Sequence, residues 1–197
     1  SRWGLLAYAS SFDCIGVLTH DISDTELILN TISGPDAKDA TSSHMPIKSS
    51  KEVDKKAWKI AYLDAGLTSE AVQTEVKHSF RNTLDKLIRD GHQVNSVQFE
   101  YEEFLLPTYY ILTMAEASTN LSRYDGVHYG RRSENTDGIE ALYKNSRTEG
   151  FGDEVRRRVM LGTYVLSAEY HDAYFKKAQQ LRRLIKEETT NLLYEYD

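Results

Sequence analysis

The sequence predicts an α/β fold, rich in helix, in which short strands including one βαβ unit pack with several helices. Three observations carry that reading. "AWKIAYLD" (57–64) alternates apolar and polar residues, the period of a half-buried strand, and "QVNSVQFE" (93–100) reads as a second strand. Between them Val72, Val76, Phe80, Leu84, Leu87 and Ile88 recur at spacings of three and four, and Gly91 ends the run. From residue 104 onward the apolar spacing is helical. Strand, helix and strand with a crossover of this length predict a right-handed unit with its strands parallel.

Taken in order, the chain opens on "WGLLAYASS", a short apolar run that predicts a strand. "SDTELILNTISG" predicts a helix: Asp21 or Ser23 can cap it, Leu27, Ile28 and Ile32 form its stripe, and Gly34 ends it. Residues 35–56 hold two of the three prolines among small polar residues, the composition of a loop or linker. After the βαβ unit, Pro107 suits the first position of a helix. That helix would carry Tyr110, Met114, Ala117 and Leu121 on one face and Tyr109, Thr113, Glu116 and Asn120 on a more polar one. Such a polar face can line a pocket, or touch water or a neighbouring protein chain. Residues 139–148, 153–169 and 170–195 read as further helices, the last rich in charge at "KKAQQLRRLIKEE". There is no internal repeat.

The bulk numbers exclude several classes. With 40% hydrophobic and 27% charged residues in 197, the chain has the balance of a folded globular protein. No apolar run approaches the ~20 residues that span a bilayer, and the start has no charged leader followed by an apolar core. A net charge of −6 disfavours a grip on nucleic-acid phosphates by the chain itself. The single cysteine, Cys14, excludes an internal disulfide, fits a reducing cytosol and reads as a buried apolar filler. The six histidines are scattered, with no i, i+4 pair around a carboxylate, so a metal site is not expected. Ser10 and Ser11 have no glycine elbow around them and no base nearby in sequence.

Within "RRR" (156–158) successive helical residues point about 100° apart, so the three arginines cannot share a face. Arg158 follows Val155 by three and precedes Gly162 by four, which sets it beside the apolar stripe with the glycine leaving room near it, while Arg156 and Arg157 turn toward water. A half-buried guanidinium there can clamp a carboxylate through its planar fork. Alternatively it snorkels or pairs with a neighbouring Glu.

"SRWGLLAYASSFDCIG", "ILNTISGPDAKDATSS", "YYILTMAEASTNLSRYDGVHYG" and "SRTEGFGDEVRRRVMLGTYVLSAEYHDAYFKKAQQLRRLI" together resemble the family of A subunits of glutamyl-tRNA(Gln) and aspartyl-tRNA(Asn) amidotransferases, which are amidase-signature enzymes. The segments occur in that family's order and cover most of the chain outside 43–100. Cys14, Val17, His20 and His128 stand where the family more often has Gln, Pro, Arg and Arg. The resemblance implies an amidase-signature fold, with 1–34 at the edge of the amidase core, 35–56 a linker, and 57–197 the βαβ unit and helical region of the same domain.

It also implies a function. In the family a Lys, a Ser held by a cis peptide bond and a Ser nucleophile release ammonia from glutamine. A second protein of the complex, using ATP and Mg²⁺, activates the misacylated tRNA carboxylate that takes up the ammonia. That triad lies in a Gly- and Ser-rich signature ahead of the part that Ser1 matches, and no such stretch occurs in these 197 residues. The chain is therefore expected to hydrolyse no glutamine by itself, as the middle portion of such a protein. By motif alignment, the family's Arg for the glutamine α-carboxylate matches Arg158, and the Tyr beside it matches Tyr109. The acidic partner of the α-amino group falls in a C-terminal part beyond the match. No residue is expected to be catalytic or to bind a metal or cofactor. The implied partners are the B and C subunits, glutamine, and tRNA through the complex rather than directly, with no membrane. Self-association through uncovered apolar surface is also expected. "SRYDGVHYG" (122–130) reads as a helix-ending turn around Gly126, braced by Arg123 and Asp125. The alternatives are another amidase-signature amide hydrolase and a non-catalytic docking module built on the charged helix at 170–190.

Overall fold

The computed structural model describes residues 1–45, 57–135 and 137–197. In chain order the elements are α1 (Ile22–Ile32), β1 (Lys59–Leu63), α2 (Ala65–Thr68), α3 (Thr74–Arg89), β2 (Gln93–Val97), α4 (Glu102–Leu121), α5 (Gly138–Gly150), α6 (Asp153–Leu166), a π turn over His171–Phe175 and α7 (Lys176–Glu195). Two compact units emerge: Ser1–Glu52 with Ile111–His171, and Val53–Tyr110 with Asp172–Asp197. Of the predicted loop at 35–56, residues 35–45 are turns and bends, and 46–56 lie outside the described residues.

The second unit holds the β1–α3–β2 unit. Its strands pair in parallel from Lys59 opposite Gln93 to Leu63 opposite Val97. The α3 stripe buries Leu84, and Phe80 meets Tyr62 edge-on at 5.9 Å, but Val76 and Ile88 stay 54% exposed. Lys86 and Arg89 sit in the last turn, where cations favour the carbonyl end of the helix dipole. Gly91 then takes φ +92° while its N–H and that of His92 bond back to Ile88 and Leu87, which turns the chain into β2. At the free side of β1, the Lys59 N–H donates to the Asp197 carboxylate at 2.9 Å and the Asp197 N–H donates to the Lys59 carbonyl at 2.8 Å.

In the first unit α4 is enclosed rather than amphipathic. Leu112, Ala115 and Ala117 are buried, and so are the polar Thr113 and Asn120. The two-faced helix expected from spacing is corrected here: beyond residue 111 both faces hold buried residues, Ala117 on one and Thr113 and Asn120 on the other, and only Thr119 is exposed. α6 crosses it at Gly162. A Cβ on Gly162 would overlap the Met114 carbonyl oxygen and lie 2.6 Å from the Ser118 Cβ. Beside that crossing the Ser118 and Thr163 hydroxyls are 3.0 Å apart. α5 adds Leu142 and Ser146 to the buried set, and α6 adds Val165.

Other local expectations are also corrected. "WGLLAYASS" forms turns, not a strand, with Trp3 67% and Leu6 75% exposed. The Asp13 carboxylate accepts the N–H groups of Tyr8 and Ala9 at 3.0 and 3.1 Å, supplying locally what a neighbouring strand would supply. Pro107 lies inside α4, which begins earlier at Glu102. Its ring removes only the bond to the Glu103 carbonyl, and two glutamates in the first turn favour the N-terminus. α6 stops at Leu166, and the segment after it makes the π turn before α7. Cys14 is exposed rather than buried. α1 begins as predicted, the Asp21 side chain capping Asp24 N–H, yet buries none of its residues.

Replacing Gly162 by Ala should destabilise the chain by about 3 kcal/mol, the upper end for an overpacked core, because the obstacle is backbone. Gly150→Ala, whose Cβ would find only Arg131 Cβ at 3.9 Å, should stay within about 0.5 kcal/mol. Urea unfolding of the two variants checks both.

Candidate functional site

Helical rotation sorts the three arginines as the spacing requires. The side chain of Arg158 is 26% exposed, against 45% for Arg156 and 66% for Arg157. Arg156 pairs with Asp153 and Arg157 with Glu154, each one turn back. Arg158 turns inward and is held from two sides. Its Nε donates to the Glu154 carboxylate at 2.8 Å, and its Nη1 donates to the Tyr8 hydroxyl at 2.6 Å. The guanidinium carbon lies 5.6 Å from the centre of the Tyr8 ring. Among the described residues, Nη2 has no hydrogen-bond partner.

The pairing with a neighbouring Glu, one of the two readings open from sequence, is thus present. It does not exhaust the guanidinium, because Glu154 accepts only from Nε, and with Glu154 55% exposed the pair is well solvated. The room expected beside Arg158 at Gly162 is corrected: the backbone of α4 fills it. Hydrogen bonds to the Tyr8 hydroxyl and then to Glu154 raise the Arg158 pKa above the ordinary arginine range, against the cost of partial burial. The hydrogen bond from Arg158 holds Glu154 below the usual carboxylate value, and the charges of Arg157 and Arg158 add to it.

Tyr8 is placed by the polar side of α4. Asn120 Nδ2 donates to the Tyr8 carbonyl at 3.1 Å and to Ser10 Oγ at 3.0 Å, and Arg123 donates to Asn120 Oδ1 at 2.9 Å. Both the N–H and the hydroxyl of Ser11 donate to the Glu116 carboxylate, the former at 2.9 Å. The polar residues that spacing offered as a pocket wall or a wet surface, Glu116 and Asn120, instead dock the 8–13 turn. Tyr8 therefore bridges α4 through its carbonyl and α6 through its hydroxyl. Sequence reasoning missed it, and nothing in local spacing pairs residue 8 with residue 158.

Tyr109 belongs to the second unit. It is 42% exposed, with its ring edge-on to Tyr110 at 5.5 Å. Among the described residues no three His, Cys, Asp or Glu side chains converge as a metal site would require, and no helix is long and apolar enough to cross a membrane.

The turn at 122–130 is architecture. Gly126 has φ +80°, and a Cβ there would overlap Ser146. Asp125 Oδ1 accepts the N–H groups of Val127 and His128 at 2.8 and 2.9 Å, while its Oδ2 meets His128 Nδ1 at 2.8 Å. Arg147 donates to the carbonyls of Leu121 and Tyr124 at 3.2 and 3.3 Å and so closes the end of α4. The His128 ring, then the His128 and Val127 amides, hold the Asp125 carboxyl well below its usual pKa.

Known proteins match the chain along its whole length. A family model described as Amidase matches residues 1–197. The chain is 45% identical over 199 residues to the A subunit of the glutamyl-tRNA(Gln) amidotransferase of Helicobacter pylori (strain G27), covering all of this chain and 44% of that protein. It is 46% identical over 201 residues to the protein of the same name from Listeria welshimeri serovar 6b, covering 41% of it. A crystal structure of the A subunit of glutamyl-tRNA(Gln) amidotransferase from Thermotoga maritima superposes with a TM-score of 0.70 at 34% identity, over all of this chain and 38% of that one. The chain thus spans less than half the length of these relatives.

The depressed Asp125 pKa sets a pH dependence. A carboxylate favoured in the folded state stabilises fully above its unfolded value of about 3.9 and loses that effect as the pH falls through the folded value. The stability gap between the native chain and Asp125→Ala should therefore hold from pH 7 to about pH 4 and narrow steadily below. Urea midpoints measured across that range check the sign.

Proposed function

The chain belongs to the amidase family, and from that premise we propose that it is the substrate-side middle of the ammonia-supplying component of a tRNA-dependent amidotransferase. Its relatives are named as the A subunits of glutamyl-tRNA(Gln) amidotransferases. In the proposed reaction a serine nucleophile outside these 197 residues opens the side-chain amide of glutamine. The ammonia then converts a glutamyl group on tRNA(Gln) to glutaminyl at a second protein of the complex. ATP and Mg²⁺ enter only there, and no residue of this chain is assigned to them. The B and C subunits are the proposed partners, tRNA reaches the chain through them, and the cytosol is the proposed compartment.

The observation that supports this reading is the oriented guanidinium of Arg158. Its Nε is held by Glu154 and its Nη1 by the Tyr8 hydroxyl, which leaves Nη2 uncommitted among the described residues, and a planar guanidinium fork suits the α-carboxylate of a free amino acid. The contact leaves the reacting amide untouched and contributes by holding it in place. Tyr109 is proposed, on the resemblance alone, as a second contact of the amino acid.

In the full-length protein within its complex, Arg158→Ala should raise KM for glutamine by 10- to 100-fold, the loss of about 1.5–3 kcal/mol carried by a charged hydrogen bond. Activity supported by ammonium salts in place of glutamine should be unchanged. An unaltered KM for glutamine overturns the assignment. Ammonia release from glutamine by the 197-residue chain alone overturns the placement of the catalytic groups outside it.

A further inference from the structure

We infer that Tyr8 is a positioning residue for the glutamine carboxylate, acting through Arg158. The inference rests on the reading of Arg158 given above and goes beyond it by naming what aims the guanidinium.

Arg158 has two partners of different kinds. Glu154 lies one turn back on the same helix, is more than half exposed, and is shared with Arg157. It brings a negative charge that would oppose an arriving carboxylate. Tyr8 is neutral, half-buried, and 150 residues away in sequence, and its hydroxyl accepts from Nη1 at 2.6 Å. A neutral acceptor fixes the direction of the fork and leaves its positive charge for the ligand. The ring beside the guanidinium adds an aromatic surface that favours the cation without compensating it.

The Tyr8 backbone is itself tied down. Asn120, 7% exposed, holds the Tyr8 carbonyl, and the Asp13 carboxylate holds the Tyr8 N–H. Both backbone polar groups of Tyr8 are thus bonded to side chains, which fixes the point on the chain from which the ring extends to Arg158. An arginine otherwise loses substantial rotamer freedom when it binds a ligand, and a fork held in advance loses less.

The test is a set of variants in the full-length protein within its complex, read for kcat and KM with glutamine. Tyr8→Phe, which keeps the ring and removes the hydroxyl, should raise KM about five- to tenfold, the worth of one hydrogen bond, and leave kcat and ammonium-supported activity unchanged. In an Arg158→Ala background the same substitution should have no further effect on KM. If Arg158→Ala leaves KM at the native value, the reading of Arg158 fails and this inference with it. If Arg158→Ala raises KM while Tyr8→Phe does not, or if Tyr8→Phe acts equally in the Arg158→Ala background, the inference about Tyr8 fails and the reading of Arg158 stands. A fall in kcat and in ammonium-supported activity with KM unchanged marks Tyr8 as merely structural and also overturns it.

Discussion

The first unit depends on how closely α6 approaches α4 at Gly162. A side chain at that position would collide with the Met114 carbonyl, so the two backbones meet with nothing between them but the hydroxyls of Ser118 and Thr163 at their flank. Arg158 lies one helical turn before Gly162, so whatever seats the glycine also sets the height of the guanidinium. A crossing padded by even one methyl group would lift the arginine from the Tyr8 hydroxyl, because packed interiors yield little to added volume.

Around that crossing the polar residues divide the work. Asn120, Glu116 and Asp13 use their hydrogen-bonding groups on the 8–13 turn, converting an apolar, strand-like sequence into a fixed bridge between two helices. Glu154 then accepts from Nε of Arg158 and the Tyr8 hydroxyl from Nη1. The charge pairs along α6 are mostly wet and contribute little to stability. Helical rotation turns Arg158 inward, while Asp153 pairs with Arg156 and Glu154 is shared between Arg157 and Arg158.

The units also leave much apolar surface in water, including Val76 and Ile88 on α3 and Leu27 and Ile32 on α1. In each case a stripe that is sound by spacing lacks a complete cover. The relatives are more than twice as long as this chain. A hydrophobic stripe records that a face is meant to be covered and says nothing about which segment covers it.

Local pattern alone settled much of this molecule. The strands at 59–63 and 93–97, the three-four spacing of α3 and the helical rotation that singles out Arg158 among three arginines could all be read within one segment. The turn at Gly126 and the cap at Asp21 are likewise local. Tertiary structure decided what depends on distant partners: that "WGLLAYASS" is a docked turn, that the polar side of α4 is interior, that the space at Gly162 belongs to another helix, and that Tyr8 meets Arg158. The reason is physical. Spacing along a chain fixes which side chains share a face, but a hydrogen bond between residues 8 and 158 exists only once other contacts have brought the two segments together, and no periodicity encodes that closure.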